Sequence, residues 1–204
     1  MNPRQIVKAG YNKIILEYLA SRKNDSEDVQ LLHEIVERLP KNAIVLDAGC
    51  GAGYPITQFL AEHFKVTGVD FAREQIHSAK KRLPTVEFIC ADISNLPIRG
   101  NAFDGVCCYY AIIHIPRSEH RNILDGFLSI LRPGGLALLC MGAGDLPKDC
   151  SRYRGAPMFW SHFDRKTNLR MIKNSGLNIL WSKNIRDSTD PNSVHLFVLA
   201  QKVG

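Results

Sequence analysis

The chain has 204 residues, about one large domain, and its 45% apolar and 23% charged residues give a globular balance that excludes a fibrous or disordered chain. The longest apolar run, residues 105–115, is 11 residues long, short of the roughly 18 that a membrane-spanning helix needs. Six cysteines without a CxxC pair, and an opening stretch without an apolar leader, point to a reduced cytoplasmic protein with no zinc site and no disulfide framework.

The net charge of +6 is uneven: nine Lys and Arg face only Asp149 and Asp164 between positions 148 and 186, so this segment holds +7 and the remainder −1. The plain reading is a solvated face; the alternative is a surface for an anionic substrate or nucleic acid.

In chain order, Ile14, Ile15, Tyr18 and Leu19 space a first helix. A second starts near Asp25 or Ser26 as cap, carries Leu31, Leu32, Ile35, Val36 and Leu39, and stops at Pro40. The pattern then alternates: strand 43–46, glycine loop, helix 54–64, strand 66–69, helix 73–82, strand 86–90, buried strand 103–110, helix 117–131 and strand 136–141. A helix at 167–174 and strands at 178–182 and 194–201 close the chain. Strands separated by helices of this length require a doubly wound α/β sheet, here seven-stranded and mostly parallel. The last two strands are joined only by a polar turn at 187–192, so they pair antiparallel. No linker divides the sequence, giving one domain: a helical cap at 1–41, a ligand-binding core at 42–142, a lid-like insertion at 143–166, and a terminal helix and strand pair at 167–204.

The first strand runs into Val45-Leu46-Asp47-Ala48-Gly49-Cys50-Gly51-Ala52-Gly53. Alternate glycines let the chain turn sharply and a ligand approach without Cβ atoms in the way. Asp47, two residues before Gly49, would repel a pyrophosphate but welcome an ammonium group, and no Gly-Lys-Ser/Thr follows to make a phosphate loop. At the end of the second strand Asp70 is placed to accept hydrogen bonds from both ribose hydroxyls of an adenosine. At the end of the third, Asp92 can accept from an adenine amino group while Ile93 packs on the ring.

With Val-Thr-Gly-Val-Asp at 66–70, Ala-Asp-Ile at 91–93, Phe-Asp-Gly-Val at 103–106 and Leu-Arg-Pro-Gly-Gly at 131–135, the sequence resembles the class I S-adenosylmethionine-dependent methyltransferases, strongly over residues 41–142. The resemblance implies that Gly49, Cys50, Gly51 and Gly53 surround the methionine moiety of S-adenosylmethionine. Asp47 would stand near its ammonium group, Asp70 would hold the ribose, and Phe71, Asp92 and Ile93 would define the adenine pocket. It further implies a backbone carbonyl of Tyr109 toward the ammonium group, and Tyr11 or Tyr18 over the cofactor. Ala72 and Gln75 depart from the family's usual Asp-x-Ser-x-x-Met.

Tyr109-Tyr110-Ala111-Ile112-Ile113-His114-Ile115-Pro116 stands where nucleobase-amine relatives carry Asn/Asp-Pro-Pro-Tyr/Phe, so the expected acceptor is a small molecule offering an O, N or S nucleophile. His114 is a candidate base or positioning residue at the methyl-transfer point. In the insertion, Tyr153, Met158, Phe159 and Trp160 are candidate wall residues and His162 a polar handle, all for the acceptor. S-adenosylhomocysteine would be the product, no metal is called for, and no membrane contact is expected. An RNA (tRNA) methyltransferase and a non-catalytic cofactor-binding domain are the alternatives, with a monomer or homodimer in either case.

Overall fold

A computed structural model describes residues 2–190 and 192–204. Helix α1 (Pro3–Ser21) opens the chain, with Pro3 in its first turn and the Asn2 Oδ1 accepting the Arg4 amide at 3.0 Å. The second expected helix is two short ones, α2 (Glu27–Gln30) and α3 (His33–Arg38), joined through Leu31 and Leu32. Ser26 does not cap α2 with its side chain; its Oγ donates to the Lys23 carbonyl instead. Then follow β1 (Ile44–Ala48), α4 (Ile56–Ala61), β2 (Lys65–Asp70), α5 (Arg73–Arg82), β3 (Glu87–Cys90), β4 (Phe103–Cys108), α6 (His120–Ile130) and β5 (Leu131–Gly142).

The insertion is not an irregular loop but a hairpin, β6 (Leu146–Tyr153) and β7 (Ala156–His162), forming its own two-stranded antiparallel sheet. Its turn residues, Arg154 at φ 50° and Gly155 at φ 74°, both take the left-handed conformation that matches the twist of a two-residue hairpin. Helix α7 (Arg165–Asn174) and strands β8 (Leu177–Arg186) and β9 (Val194–Lys202) complete the fold.

The main sheet has seven strands in the order β3-β2-β1-β4-β5-β9-β8. Only β9 runs antiparallel, and although last in the chain it lies inside the sheet, between β5 and β8. Alternate residues feed two separate cores, as a pleated strand requires. In β9, Leu196, Val198 and Ala200 face the core shared with α6 and α7, while Phe197 and Leu199 face the one shared with α2, α3 and α4. Both sheet faces are therefore covered, and what stays open is the carboxyl edge, where β1, β2 and β4 end. Helix α1 and the hairpin close over that edge: Val7 and Ile14 pack with Ala156, Met158 and Phe159. Gly10 permits the approach, since a Cβ there would lie 2.4 Å from the Pro157 carbonyl oxygen. No helix among the described residues is long and apolar enough to cross a membrane.

Candidate functional site

The loop after β1 forms the floor of a cavity at the carboxyl edge, lined there by Asp47, Gly49, Cys50 and Gly51. Gly49 has φ +84°, and a Cβ on it would lie 2.2 Å from the Ala111 Cβ, so this loop packs directly on the loop after β4. A Cβ at Gly51 would meet only the Gln75 Oε1, 3.8 Å away: the space above it is open. Gly53 is placed otherwise than the resemblance implies. Its missing Cβ faces Leu83 and Ala79 of the α5 region, and it stands outside the cavity wall, serving helix packing.

Two buried carboxylates look into this cavity. Asp70 accepts the Gly51 amide at 3.0 Å on one oxygen and the Ala72 amide at 2.8 Å on the other. Asp47 accepts the Thr57 hydroxyl at 2.5 Å. Among the described residues neither has a cationic partner, and burial pushes Asp47 up to about 7 and Asp70 up to about 6. The donor set is thus one of acceptors awaiting donors, above a cradle a side chain would fill. A ligand that brings an ammonium group and hydroxyls fits it, and a pyrophosphate does not.

Because both carboxyls hold their protons more tightly folded than unfolded, the stability they confer is full below the ordinary carboxyl value of 3.8 and is lost as pH rises through about 6 to 7. A ligand donating to the ionised forms reverses that loss. Binding of S-adenosylhomocysteine near pH 6.5 is therefore expected to release protons, read as a buffer-dependent enthalpy in calorimetry, and its affinity should rise between pH 5.5 and 7.5. Proton uptake on binding would contradict the assignment.

Ile93, Phe71 and Tyr109 line the same cavity. The Tyr109 hydroxyl is turned away to donate to the Asp28 carbonyl at 3.0 Å. Asp92 lines it too but is already engaged: one oxygen pairs with the Arg4 Nε, and the other accepts the Ser94 amide and hydroxyl at 2.9 and 2.8 Å. Arg4 also reaches Glu119 at 2.7 and 3.0 Å, so α1 is clamped over the end of β3. An adenine amino group would have to share Asp92 with this guanidinium. Nothing in the local sequence signals Arg4, which meets Asp92 from 88 positions away.

A second cavity, of about 400 Å³, opens between the hairpin and the turn joining β8 to β9. Four residues line both cavities: Tyr11 and Tyr18 from α1, Tyr110 just past β4, and His114. His114 is held at both nitrogens. Its Nδ1 lies 2.7 Å from the Phe159 carbonyl and must donate, so its Nε2 accepts the Tyr11 hydroxyl at 2.9 Å. Burial pushes His114 down to about 4, which leaves it neutral.

Of the insertion residues singled out in the sequence, Tyr153, Trp160 and His162 line this second cavity. Met158 does not: it is fully buried in the core between α1 and β7, with Phe159 beside it. Sequence patterning missed Tyr110, Asp187 and His195. His195 lies 3.5 Å from Asp187 through its Nε2, its ring sits edge-on to Tyr110 at 5.0 Å, and its buried Nδ1 has no partner among the described residues. The basic segment is spread over the hairpin, α7 and β8, with much of its charge engaged. Arg154 pairs with Glu17 at 3.1 Å, Arg165 donates to Asn184 and Ser182, and Lys183 sits 4.9 Å over the Trp181 ring. Among the described residues no group of three or more His, Cys, Asp or Glu could hold a metal ion.

Residues 45–135, from the glycine loop to the turn within β5, match the methyltransferase domain family. Over this stretch the chain is similar to the S-adenosylmethionine-dependent methyltransferases. It is 32% identical over 126 residues to a trans-aconitate 2-methyltransferase of Paracidovorax citrulli, covering 59% of this chain and 47% of that protein. It is 27% identical over 176 residues to an O-methyltransferase of Aspergillus nomiae, covering 78% and 76%. The chain thus spans about half the length of the first of these relatives. The 1,6-didemethyltoxoflavin-N1-methyltransferase of Burkholderia thailandensis, solved with 1,6-didemethyltoxoflavin and S-adenosylhomocysteine, shares the fold at a TM-score of 0.72 and 20% identity, over 100% of this chain and 92% of that one.

Proposed function

We propose that the chain transfers a methyl group from S-adenosylmethionine to an O, N or S nucleophile of a small molecule, with the acceptor in the cavity beside the hairpin. The observation that carries this is the shared rim: the cavity built by the glycine loop, Asp47 and Asp70 meets the aromatic cavity at Tyr11, Tyr18, Tyr110 and His114. In the ligand cavity, Asp47 would take the ammonium group and Asp70 the ribose hydroxyls. When bound, S-adenosylmethionine supplies an electrophilic methyl group on a sulfonium, so the protein's task is mainly placement.

His114 and Tyr11 serve that placement. With both nitrogens of His114 engaged and its ring neutral, it is poorly suited to take a proton, and its bond to Tyr11 ties α1 to the loop after β4 at the meeting point of the two cavities. Helix α1 and the hairpin exclude water from above. The relatives do not select an acceptor, since trans-aconitate and 1,6-didemethyltoxoflavin belong to different chemical classes.

Transfer of labelled methyl groups into a pool of small-molecule acceptors, run beside a tRNA pool, tests the reading. Labelled small molecules are expected. Label entering tRNA alone would replace this reading with the RNA methyltransferase, and no label in either pool would leave a binding domain. Once an acceptor is found, Tyr11→Phe removes one hydroxyl and should lower kcat about 10-fold while S-adenosylhomocysteine affinity changes less than about 3-fold. Equal losses in both would make Tyr11 a cofactor contact only.

A further inference from the structure

We infer that the acceptor cavity takes a planar aromatic molecule that is neutral or positively charged, and that it rejects carboxylates. The inference rests on the methyltransferase reading for the word acceptor, but the selectivity follows from the cavity's own walls. Its apolar surface is largely aromatic. Tyr153 and Trp160 lie with ring centroids 6.3 Å apart, His114 sits 5.8 Å from Trp160, and Tyr11 and Tyr18 are 5.4 Å apart. Rings set at different tilts around one space offer stacking and edge contacts to a flat ring, and π-faces to a cation.

The charges point the same way. Among the described residues, Asp149, Asp187 and Asp190 line the cavity against one arginine, Arg152. That guanidinium already donates to the Gly155 carbonyl at 2.8 Å. Arg22, a buried guanidinium that lines the other cavity, is paired with Asp28 at 2.6 Å and reaches the Ser188 hydroxyl of the β8–β9 turn at 3.5 Å, so it is not free to meet a carboxylate. The acids are fixed in place: Asp187 accepts the Thr189 amide and hydroxyl at 2.7 and 2.8 Å, and Asp190 accepts the Asn192 amide at 3.1 Å and the Ser193 hydroxyl at 2.8 Å. None of these partners is a full positive charge. His195, beside Asp187, is cationic only when protonated. Recognition of a carboxylate calls for a guanidinium fork or an ammonium group free to meet it. Here a polycarboxylate would instead face three like charges. The relative that acts on trans-aconitate therefore does not predict this chain's acceptor.

Three probes with one ring system and different charge separate ring from charge: tryptamine, 3-methylindole and indole-3-acetate, with trans-aconitate as a ringless polycarboxylate. Each is titrated calorimetrically into protein saturated with S-adenosylhomocysteine. Tryptamine and 3-methylindole are expected to bind at least about 10-fold tighter than indole-3-acetate, with trans-aconitate weaker still. Trp160→Ala should weaken tryptamine about 10-fold, provided circular dichroism shows it folded. Asp149→Lys is the sharper variant, because it changes charge and leaves the rings: the gap between tryptamine and indole-3-acetate should shrink by about 3-fold or more. Indole-3-acetate or trans-aconitate binding as tightly as tryptamine overturns the inference, as does failure of all three indoles to bind. The separate titration of S-adenosylhomocysteine keeps the two readings apart. If it binds and the probe order is reversed, only the acceptor class falls; if it does not bind, the methyltransferase reading falls first.

Discussion

Replacing Asp70 with Ala should weaken S-adenosylhomocysteine binding about 100-fold or more, the largest effect expected of any cofactor-site variant. Its two oxygens are already oriented by the Gly51 and Ala72 amides, so no reorganisation is needed when hydroxyl donors arrive. A hydrogen bond to a charged acceptor contributes about 1.5 to 3 kcal/mol. Two of them lost, less what water restores, leave a deficit of about 3 kcal/mol, and each 1.4 kcal/mol is a factor of ten. The variant also strands the Gly51 amide, which loosens the open cradle itself. Asp70→Asn should recover little, because an amide group can accept on one side only and presents donors on the other. NAD, whose pyrophosphate meets Asp47, should bind weakly to the parent and be insensitive to the change. Unchanged S-adenosylhomocysteine affinity in folded Asp70→Ala would remove Asp70 from the site.

The glycine loop and its acids are legible in the sequence because local geometry demands them. A left-handed turn against Ala111 admits only glycine at position 49, and a strand end projects residue 70 to the edge of the sheet whatever else surrounds it. The sheet is legible for a similar reason. Strands buried on both faces read as continuous apolar runs, and β5 and β9 alternate between two cores without a polar face. Even the antiparallel strand follows from a polar turn too short to hold a crossover.

What is not legible depends on contacts between distant parts of the chain. The hairpin of β6 and β7 hides because Arg154 is not the usual first residue of a left-handed turn, and because Pro157 and the clustered rings read as loop chemistry. Met158 is indistinguishable in sequence from a cavity wall until α1 is known to lie on it. His114 reads as a base by residue type, and only its two bonds, to Tyr11 and to the Phe159 carbonyl, turn it into a tie. Arg4 and Asp28 look like ordinary charges at helix starts, yet each fixes one end of the cover over the site.

The Asp28 tie should carry the largest stability effect in the molecule. Its carboxylate meets Arg22 at 2.6 Å, with both side chains all but excluded from water, and it also accepts the Tyr110 hydroxyl at 3.1 Å. Asp28→Ala leaves the Arg22 charge buried without its partner, at a cost of about 3 to 5 kcal/mol. That is a large share of the 5 to 15 kcal/mol by which domains are usually stable, and a clear drop in the denaturant midpoint should report it. Removing both charges together tells a different story. Arg22→Met with Asp28→Leu replaces the pair by apolar volume and should regain most of the loss, since desolvating two charges offsets much of their attraction. The double variant should nonetheless bind acceptor poorly, because Tyr110, at φ 53° on the rim of both cavities, loses the carboxylate that holds its hydroxyl and the guanidinium 5.0 Å from its ring. A single Asp28→Ala variant within about 1 kcal/mol of the parent would show that the pair is relieved by water, and would assign the hold on α1 to its other contacts: Arg4, the Tyr11–His114 bond, the Arg154–Glu17 pair and the packing on β7.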